Sequence, residues 1–443
     1  MHVLKLLPRF RQATKELVCL AEREQWPRAR IEAHQLHRLN TVWAHARRFV
    51  PHYRDLANRS GWPDRFDSLD HFRAVIPVLE KRTVRTRPDR LLSERPGRGT
   101  WRFTGGSTGA VTRVFYEHAA HLETQRCKYR HAAQWNVDIF DRAAFVWGHG
   151  ASFAPGWKGR VARARRPLED RLRNRLRLSA YDLSPDALRQ HLRAIEAWRP
   201  RWLYTYSTCA YLLAREAMAI GFDCGSLEYA LLTAEPTPPW LRASVEQAFG
   251  VPAIREYGSI ECGYLAAEWP DRTLRVREDV SLLETVPRLD GRFDVLVTVL
   301  RNPSFPLLRY AIADVADEPL RHPATGFAML SNVEGRANDL VMSRSGRILH
   351  GLWFDDLFET TAGARRWRVH QAADGAVAIA VEMDPGAPPL DDTRIRRRVE
   401  AHLEGYPVVV RTVDRMDQNA AGKHRWIVSD LTPSTRSPLV RAG

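Results

Sequence analysis

The sequence predicts an α/β protein, α+β overall, with a large N-terminal part built on mostly parallel sheets and a small α+β part at the C-terminus. Between residues 184 and 258, apolar residues at helical spacing alternate with short strand-like runs. This alternation is typical of βαβ units and a parallel sheet. Beyond residue 258 the strand-like runs follow one another without helices, and the pattern changes again after Gly335. We therefore expect two domains, residues 1–335 and 336–443.

Local signals place most of these elements. The first 96 residues have a mainly helical pattern interrupted by prolines. Ser184-Pro185-Asp186 predicts a helix start, because proline is favoured at the first helical position. Ser207 and Thr208 are suited to cap a further helix. The other predictions are strands at 201–206, 230–233, 251–257, 293–300, 327–333, 366–370, 376–383 and 408–413, and helices at 238–249 and 393–404.

Composition indicates a globular protein with a substantial core. Of 443 residues, 44% are hydrophobic, and no apolar run reaches the length of a transmembrane helix. The N-terminus lacks the apolar core of a signal peptide, so we expect a cytoplasmic protein. The five cysteines are scattered without a Cys-x-x-Cys pair, which argues against both a disulfide framework and a zinc site.

The net charge of +15 favours anionic partners such as nucleotides, coenzyme A or an acidic carrier protein. Basic residues concentrate between residues 158 and 177. A solvated helix and loop face explains this cluster, and no aromatic interleaving suggests specific nucleic-acid binding.

A glycine-rich segment is the most distinctive local feature. Residues 104–112 read Thr-Gly-Gly-Ser-Thr-Gly-Ala-Val-Thr. Glycines allow close backbone approach, and consecutive N–H groups with hydroxyl donors form an anion-binding nest. The segment lacks the Lys-Ser/Thr ending of a Walker loop, which disfavours an ordinary P-loop NTPase. A phosphate cradle and a flexible turn both remain open at this point.

Four further segments follow in a definite order. A predicted strand ends in Glu-Tyr-Gly-Ser-Ile-Glu at 256–261, and Pro-Leu-Leu-Arg-Tyr-Ala-Ile-Ala-Asp follows at 306–314. Gly-Arg-Ala-Asn-Asp stands at 335–339, at the predicted domain joint. Ala-Ala-Gly-Lys-His-Arg at 420–425 lies near the C-terminus.

This order, the spacing and the chain length resemble the adenylate-forming (ANL) superfamily, specifically its phenylacetate–coenzyme A ligase-like branch, which includes capsule-locus relatives. The resemblance covers about residues 40–430 and includes Pro-Val-Leu-Glu-Lys at 77–81. It implies an AMP-forming acid–thiol ligase: a carboxylate attacks the α-phosphorus of ATP, and the acyl-adenylate then passes its acyl group to a thiol. The small domain would be mobile, rotating between the two half-reactions.

The resemblance also implies roles for individual residues. Glu261 would help to coordinate Mg²⁺ and, with Lys423, act in catalysis. Tyr257 would stack on adenine, Asp314 would bind the ribose hydroxyls, and Arg336 would bind ribose or phosphate. Asn338 and Asp339 would form the hinge. The remaining nucleotide-binding predictions are Thr104, Gly105, Gly106, Ser107, Thr108, Gly109, Glu235 and Gly258.

The acid itself is less constrained. We expect it to bind near Trp147, His149, Tyr206 and Ser259, whose flat or small side chains suit an aryl acid. Coenzyme A or the phosphopantetheine of an acidic acyl carrier protein would be the thiol acceptor. Because residues 343–350 lack the usual glycine-rich pantetheine signature, transfer to a hydroxyl or amine is an alternative. A non-catalytic basic binding protein on the same scaffold is a second alternative, and a homodimer is compatible with each.

Overall fold

The protein is described here by a computed structural model. It covers residues 21–103, 112–138, 140–147, 170–180, 183–334, 341–344, 348–349, 353–354, 357–358, 361–416 and 426–431. Within these ranges, no helix combines the length and apolarity that crossing a membrane requires.

The N-terminal region is helical, as the sequence predicts. A short 3-10 helix, Glu22–Gln25, precedes five helices whose apolar residues belong to the same core cluster as the fully buried Trp43. Proline opens two of these helices, where its missing N–H costs no hydrogen bond. Their bounds are α1 Arg28–Phe49, α2 Pro51–Ser60, α3 Leu69–Val75, α4 Lys81–Thr86 and α5 Pro88–Leu91.

A two-stranded antiparallel sheet comes next, formed by β1 Gly99–Phe103 and β2 Arg113–Glu117. It leads into α6, His118–Gln134. The sequence pattern does not predict this helix, because it buries polar residues such as Thr124, Arg130 and His131 along with its apolar ones.

The central element is an eight-stranded sheet with the order β13-β9-β8-β7-β6-β5-β3-β4. Neighbours from β4 to β7 are parallel, and neighbours from β7 to β13 are antiparallel. The strands are β3 Ala143–Trp147, β4 Arg175–Ser179, β5 Trp202–Tyr206, β6 Tyr229–Thr233, β7 Ala253–Ser259, β8 Gly263–Glu268, β9 Leu274–Val276 and β13 Met329–Leu330.

Helices cover both faces of the parallel part. On one face, apolar residues of three helices pack against strand residues such as Leu203 and Leu232. These helices are α7 Pro185–Trp198, α8 Ser207–Ile220 and α9 Pro239–Phe249. On the other face Ala132 of α6 lies in one cluster with Tyr204, Leu231 and Ile254. The βαβ interpretation of residues 184–258 is thus confirmed.

A second, four-stranded sheet is antiparallel throughout, in the order β10-β11-β12-β14. Its strands are β10 Ser281–Pro287, β11 Phe293–Val299, β12 Tyr310–Ala316 and β14 Val333–Glu334. Among the described strands before residue 335, parallel strand pairing therefore occurs only in the large sheet. The single strand predicted at 327–333 is wrong, because the chain leaves the large sheet after β13 and enters this one at β14.

The C-terminal part has its own sheet, in the order β19-β18-β17-β20. The helix α10 Asp392–Leu403 contributes Ile395 and Val399 to its core. A short antiparallel pair, β15 Val341–Met342 and β16 Ile348–Leu349, precedes it. The sheet strands are β17 Ala364–Gln371, β18 Val377–Met383, β19 Val408–Val413 and β20 Ile427–Ser429.

Candidate active site

The carboxyl ends of the parallel strands form the edge at which open α/β sheets bind ligands. Strand β7 ends there in Tyr257, Gly258 and Ser259, and a tight turn leads through Glu261 into β8. Gly258 is required by packing: a Cβ at this position would overlap the carbonyl oxygen of Gly263 on the neighbouring strand. The turn therefore brings the carboxylate of Glu261 back toward the strand end.

Two predicted nucleotide-binding residues meet directly. The hydroxyl of Tyr257 on β7 donates a hydrogen bond of 2.8 Å to Oδ2 of Asp314 on β12. Burial, and secondarily the negative charge of Asp314, raises the pKa of Tyr257 well above its usual value, so the phenol remains a donor. The contact joins the large sheet to the antiparallel sheet at one point of the edge.

Glu261 is almost fully buried, with 4% of its side chain exposed, yet it is held as an anion. Burial alone would raise the pKa of this carboxyl. Its contacts with Lys81, together with hydrogen bonding that includes Ser259, outweigh burial and lower the pKa below its usual value. Lys81 Nζ lies 3.2 Å from Glu261 Oε1, and the hydroxyl of Tyr310 donates to the same oxygen at 3.3 Å.

Lys81 ends the segment 77–81, and the sequence pattern alone predicts no role for it. The structure brings it to the site because Leu79 pairs with the start of β12, through hydrogen bonds between Leu79 N and Arg309 O and between Ala311 N and Leu79 O. Its ammonium also donates to the carbonyl of Ile312 at 3.3 Å.

Trp147 and Tyr206, two of the predicted acid-binding residues, lie together at the ends of β3 and β5. Their ring centroids are 4.1 Å apart, and Trp147 also stacks on Tyr204 at 5.2 Å. Ser259 has a local contact instead: its Oγ accepts a hydrogen bond from the backbone N–H of Cys262 at 2.9 Å.

Glu235 engages the start of α8. Its Oε2 accepts a hydrogen bond of 2.8 Å from the backbone N–H of Thr208, and a carboxylate is favourable at a helix N-terminus. This contact fixes the segment between β6 and α9 at the same edge of the sheet.

A polar cluster that the sequence pattern does not predict lies beside the aromatic pair. Lys128 of α6 donates to Tyr204 Oη at 3.0 Å and to Glu256 Oε1 at 2.9 Å, and Tyr204 donates to the same carboxylate at 3.1 Å. We call Lys128, Tyr204 and Glu256 the polar triad.

The scarcity of lysine in this chain is a sequence signal that could have identified both Lys81 and Lys128. The chain has 67 lysines and arginines, of which six are lysines. Two of the six, Lys81 and Lys128, lie at the carboxyl edge of the sheet.

The other predicted site residues lie outside the described ranges. They are Thr104, Gly105, Gly106, Ser107, Thr108, Gly109, His149, Arg336, Asn338, Asp339 and Lys423.

The described residues fit a nucleotide-bound metal better than a metal held by protein alone. Among them, no group of three or more His, Cys, Asp or Glu side chains is arranged to hold an ion. Mg²⁺ at nucleotide sites needs only one or two carboxylates, with phosphates and water completing its shell. The ionised Glu261 can supply such a ligand, and the carboxylate of Asp314 suits ribose hydroxyls.

Comparison with known proteins gives a consistent set of relatives. No family model matches the sequence. Protein CapK of Staphylococcus aureus is 24% identical over 280 residues, and the match covers 62% of this chain and 61% of CapK's length. The phenylacetate-coenzyme A ligase of Thermus thermophilus is 26% identical over 343 residues, with coverage of 73% and 74%.

Solved structures show the same fold. A 2-hydroxyisobutyryl-CoA ligase in the postadenylation state superposes with a TM-score of 0.70 at 16% identity, covering 95% of this chain and 92% of that one. The same ligase with 2-HIB-AMP and CoA in the thioesterification state gives a TM-score of 0.60 at 19% identity, with the same coverage.

Proposed function

Because this chain belongs to the adenylate-forming superfamily, in its phenylacetate-CoA ligase-like branch, we propose that it activates a carboxylic acid with ATP and transfers the acyl group to a thiol. In the first half-reaction a carboxylate oxygen attacks the α-phosphorus, the bond to the β-phosphate breaks, and pyrophosphate leaves with its electron pair. In the second, a thiolate attacks the acyl carbon and AMP leaves.

The observation that carries this proposal is the meeting of two residue pairs at one strand end. Tyr257 with Asp314 offers an aromatic ring beside a carboxylate, which suits a nucleoside. Glu261 with Lys81 offers an ionised carboxylate beside a cation, which suits a metal-bound triphosphate. One member of each pair, Tyr257 and Glu261, stands on either side of the turn at Gly258, only a few residues apart in the chain.

Charge complementarity explains what each group contributes to adenylation. Negative charge grows on the phosphate oxygens as the α–β bond breaks, and fixed cations and N–H donors stabilise it. Mg²⁺, when bound, would supply Lewis-acid stabilisation of those oxygens, with Glu261 as its ligand. Lys81 keeps Glu261 ionised and is itself a cation beside the proposed phosphate position.

The remaining roles are proposed from the family resemblance. The segment 104–109 would hold the triphosphate, Glu235 and Gly258 would line the adenine site, and Arg336 would contact ribose or phosphate. Lys423 would enter the site for adenylation. The second domain, residues 336–443, would then rotate about Asn338 and Asp339 to admit the thiol.

Coenzyme A is the thiol that this proposal favours, because the names of the ligase relatives include it and the net charge of +15 attracts its phosphates. An acidic acyl carrier protein offers the same phosphopantetheine thiol. Aryl acids are the first substrates to try, because the aromatic rings of Trp147 and Tyr206, whose centroids are 4.1 Å apart, suit contact with a flat acyl group.

The proposal is tested by following products by mass spectrometry. The protein is incubated with ATP, Mg²⁺ and a panel of aryl and aliphatic acids, with coenzyme A, with a carrier protein, or with a hydroxyl or amine acceptor. We expect AMP, pyrophosphate and an acyl-thioester that appears only when a thiol is present. Ester or amide products in the absence of a thiol would show that the acceptor is a hydroxyl or an amine and not a thiol. ATP left unconsumed with every acid would contradict the proposal.

A further inference from the structure

The polar triad lies on the same face of the large sheet as the candidate acid-binding aromatic residues. Tyr204 belongs to β5, Glu256 to β7, and Lys128 reaches them from α6 across that face. Lys128 Nζ is 4.9 Å from the centroid of the Tyr204 ring, and Trp147 stacks on the same ring with a centroid distance of 5.2 Å. Glu256 directly precedes Tyr257 in the chain. The triad therefore adjoins the wall formed by Trp147, Tyr204 and Tyr206.

Hydrogen-bonding capacity remains unused in this cluster. An ammonium has three N–H donors, and within the described residues Lys128 uses one on Tyr204 and one on Glu256. The Lys128 side chain is 29% exposed, and its third donor has no hydrogen-bond partner among the described residues. Glu256 Oε2 and the hydroxyl of Tyr264 are buried and have no hydrogen-bond partner among the described side chains and backbone.

Unpartnered buried polar atoms are costly, so they point to a ligand that completes them. Tyr264 belongs to the same neighbourhood, since Lys128 Nζ lies 5.6 Å from the centroid of its ring. The Glu256 side chain is only 7% exposed, so it has little contact with bulk water. The free acceptor on Glu256 and the free donor on Lys128 call for a group that both donates and accepts.

Electrostatics decides which group this is. Burial alone would lower the pKa of Lys128, but Glu256 and Tyr204 raise it above its usual value, so the lysine is charged. Burial, with Glu256 as a further cause, raises the pKa of Tyr204 to about 12, so the phenol is neutral. The triad thus carries one positive and one negative charge that already balance. A neutral hydroxyl suits the triad. A ligand ammonium would be repelled by the charge of Lys128, and a ligand carboxylate by that of Glu256.

We infer that the acid activated by this protein is an aromatic acid with a hydroxyl group on its ring, and that Lys128 and Glu256 are the specificity-determining residues that recognise this hydroxyl. The hydroxyl accepts from Lys128 Nζ and donates to Glu256 Oε2, while Trp147 and Tyr206 contact the ring. Tyr204 is a positioning residue, because its hydroxyl accepts from Lys128 and donates to Glu256 and so fixes the two charged side chains relative to each other. This inference rests on the proposed function and names its substrate class.

The test compares matched acids with and without a ring hydroxyl. Binding of 3-hydroxyphenylacetate, 4-hydroxyphenylacetate and phenylacetate is measured by calorimetry in the presence of α,β-methylene-ATP, which cannot release pyrophosphate. The kcat/KM of acid-dependent pyrophosphate exchange is measured for the same acids. We expect at least one hydroxylated acid to be preferred at least about tenfold in both assays, because a site built to hydrogen-bond a hydroxyl rejects the analogue that lacks it.

Two variants assign the preference to the triad. Glu256→Gln keeps the shape of the side chain and removes its charge, and the double variant Lys128→Met with Glu256→Gln removes both charges and leaves no unpaired ion. Both are expected to reduce the hydroxyl preference below about threefold, chiefly through a higher KM for the hydroxylated acids. Glu228→Gln is the matched control, because it breaks an exposed ion pair with Arg201 on the same sheet and should leave the preference unchanged.

Each outcome has one meaning. Equal binding of hydroxylated and plain acids, or a preference that survives both variants, would overturn the inference. Exchange with aliphatic acids alone would overturn it while leaving the proposed function in place. Exchange with no acid would contradict the proposed function, and absence of hydroxyl-dependent binding in the same protein would overturn the inference separately.

Discussion

At the scale of single residues, lysine is the scarce cation of this chain and arginine the common one. Arginine fills structural ion pairs such as Arg130 with Asp279 and Arg309 with Glu284. Lys81 and Lys128 instead present a compact ammonium to a buried carboxylate at the edge of the large sheet. An ammonium on a flexible stem can shift between a carboxylate and an incoming ligand more readily than a planar guanidinium can.

Replacing Lys81 by methionine tests how Glu261 is kept ionised. Without the ammonium, burial dominates and the pKa of Glu261 rises. In the wild type its lowered pKa means that the ionised form is lost only at low pH, as the pH falls through the folded value. In Lys81→Met this loss begins at higher pH, so we expect the acidic limb of the pH–rate profile of adenylation to move up by about one unit or more.

Arg82→Met is the matched control for that variant. Arg82 is exposed one residue further along α4, so its loss should leave the profile in place. An unchanged acidic limb in Lys81→Met would show that Lys81 does not control the ionisation of Glu261.

At the scale of elements, helices and strands with strong local signals were predicted correctly. The pairing of strands that are distant in the chain was not. The helix predicted at 238–249 and the strand at 408–413 are confirmed as α9 and β19, because a proline start, a glycine stop and apolar spacing are local properties. By contrast, the break between β13 and β14 depends on which sheet each two-residue strand joins. Helix α6 was missed because its buried arginine and histidine are paired by distant residues.

The turn between β7 and β8 is an element whose geometry requires glycine. Gly258→Ala would force the new methyl group against the Gly263 carbonyl and displace the turn that carries Glu261. We expect a loss of about 1–3 kcal/mol in stability, seen as a lower apparent Tm, and a loss of adenylation activity. Gly225→Ala is the control, since a Cβ there meets no atom within 4 Å. Equal Tm values for the two variants would be inconsistent with the packing described.

At the scale of the whole molecule, the sequence predicted the fold class, and it named three candidate site residues that the structure brings to one strand end. Tyr257, Asp314 and Glu261 could be predicted because each stands in a recognisable segment. Their partners could not: Lys81 reaches Glu261 through pairing of Leu79 with β12, and Lys128 reaches Glu256 across a helix–sheet interface. Contacts between residues more than a hundred positions apart follow from topology, which local patterns do not specify.

Buried histidines make the stability of the whole molecule depend on pH. His131 Nε2 donates to the carbonyl of Glu268 at 2.7 Å, and burial lowers its pKa to about 3. The unfolded chain binds a proton near pH 6.5 and the folded protein does not, so stability falls as pH decreases from about 6.5 toward 3. His131→Gln keeps a donor without the charge. Over this pH range we expect the free energy of unfolding of the variant to fall less steeply than that of the wild type, by about 1 kcal/mol per pH unit. Its apparent Tm should fall less steeply for the same reason.

His37→Gln, at an exposed position of α1, serves as the control and should follow the wild-type curve. Parallel curves for His131→Gln and the wild type would contradict the neutral, buried state of His131.

The central claim is that the protein forms an acyl-adenylate at the site around Glu261, at the edge of the large sheet. Acid-dependent exchange of labelled pyrophosphate into ATP measures this step alone, without a thiol. We expect exchange with at least one aryl acid, reduced about 100-fold or more in Glu261→Gln and unchanged in Glu196→Gln, an exposed glutamate on α7. No exchange across a broad acid panel, or equal exchange in Glu261→Gln and the wild type, would contradict the account.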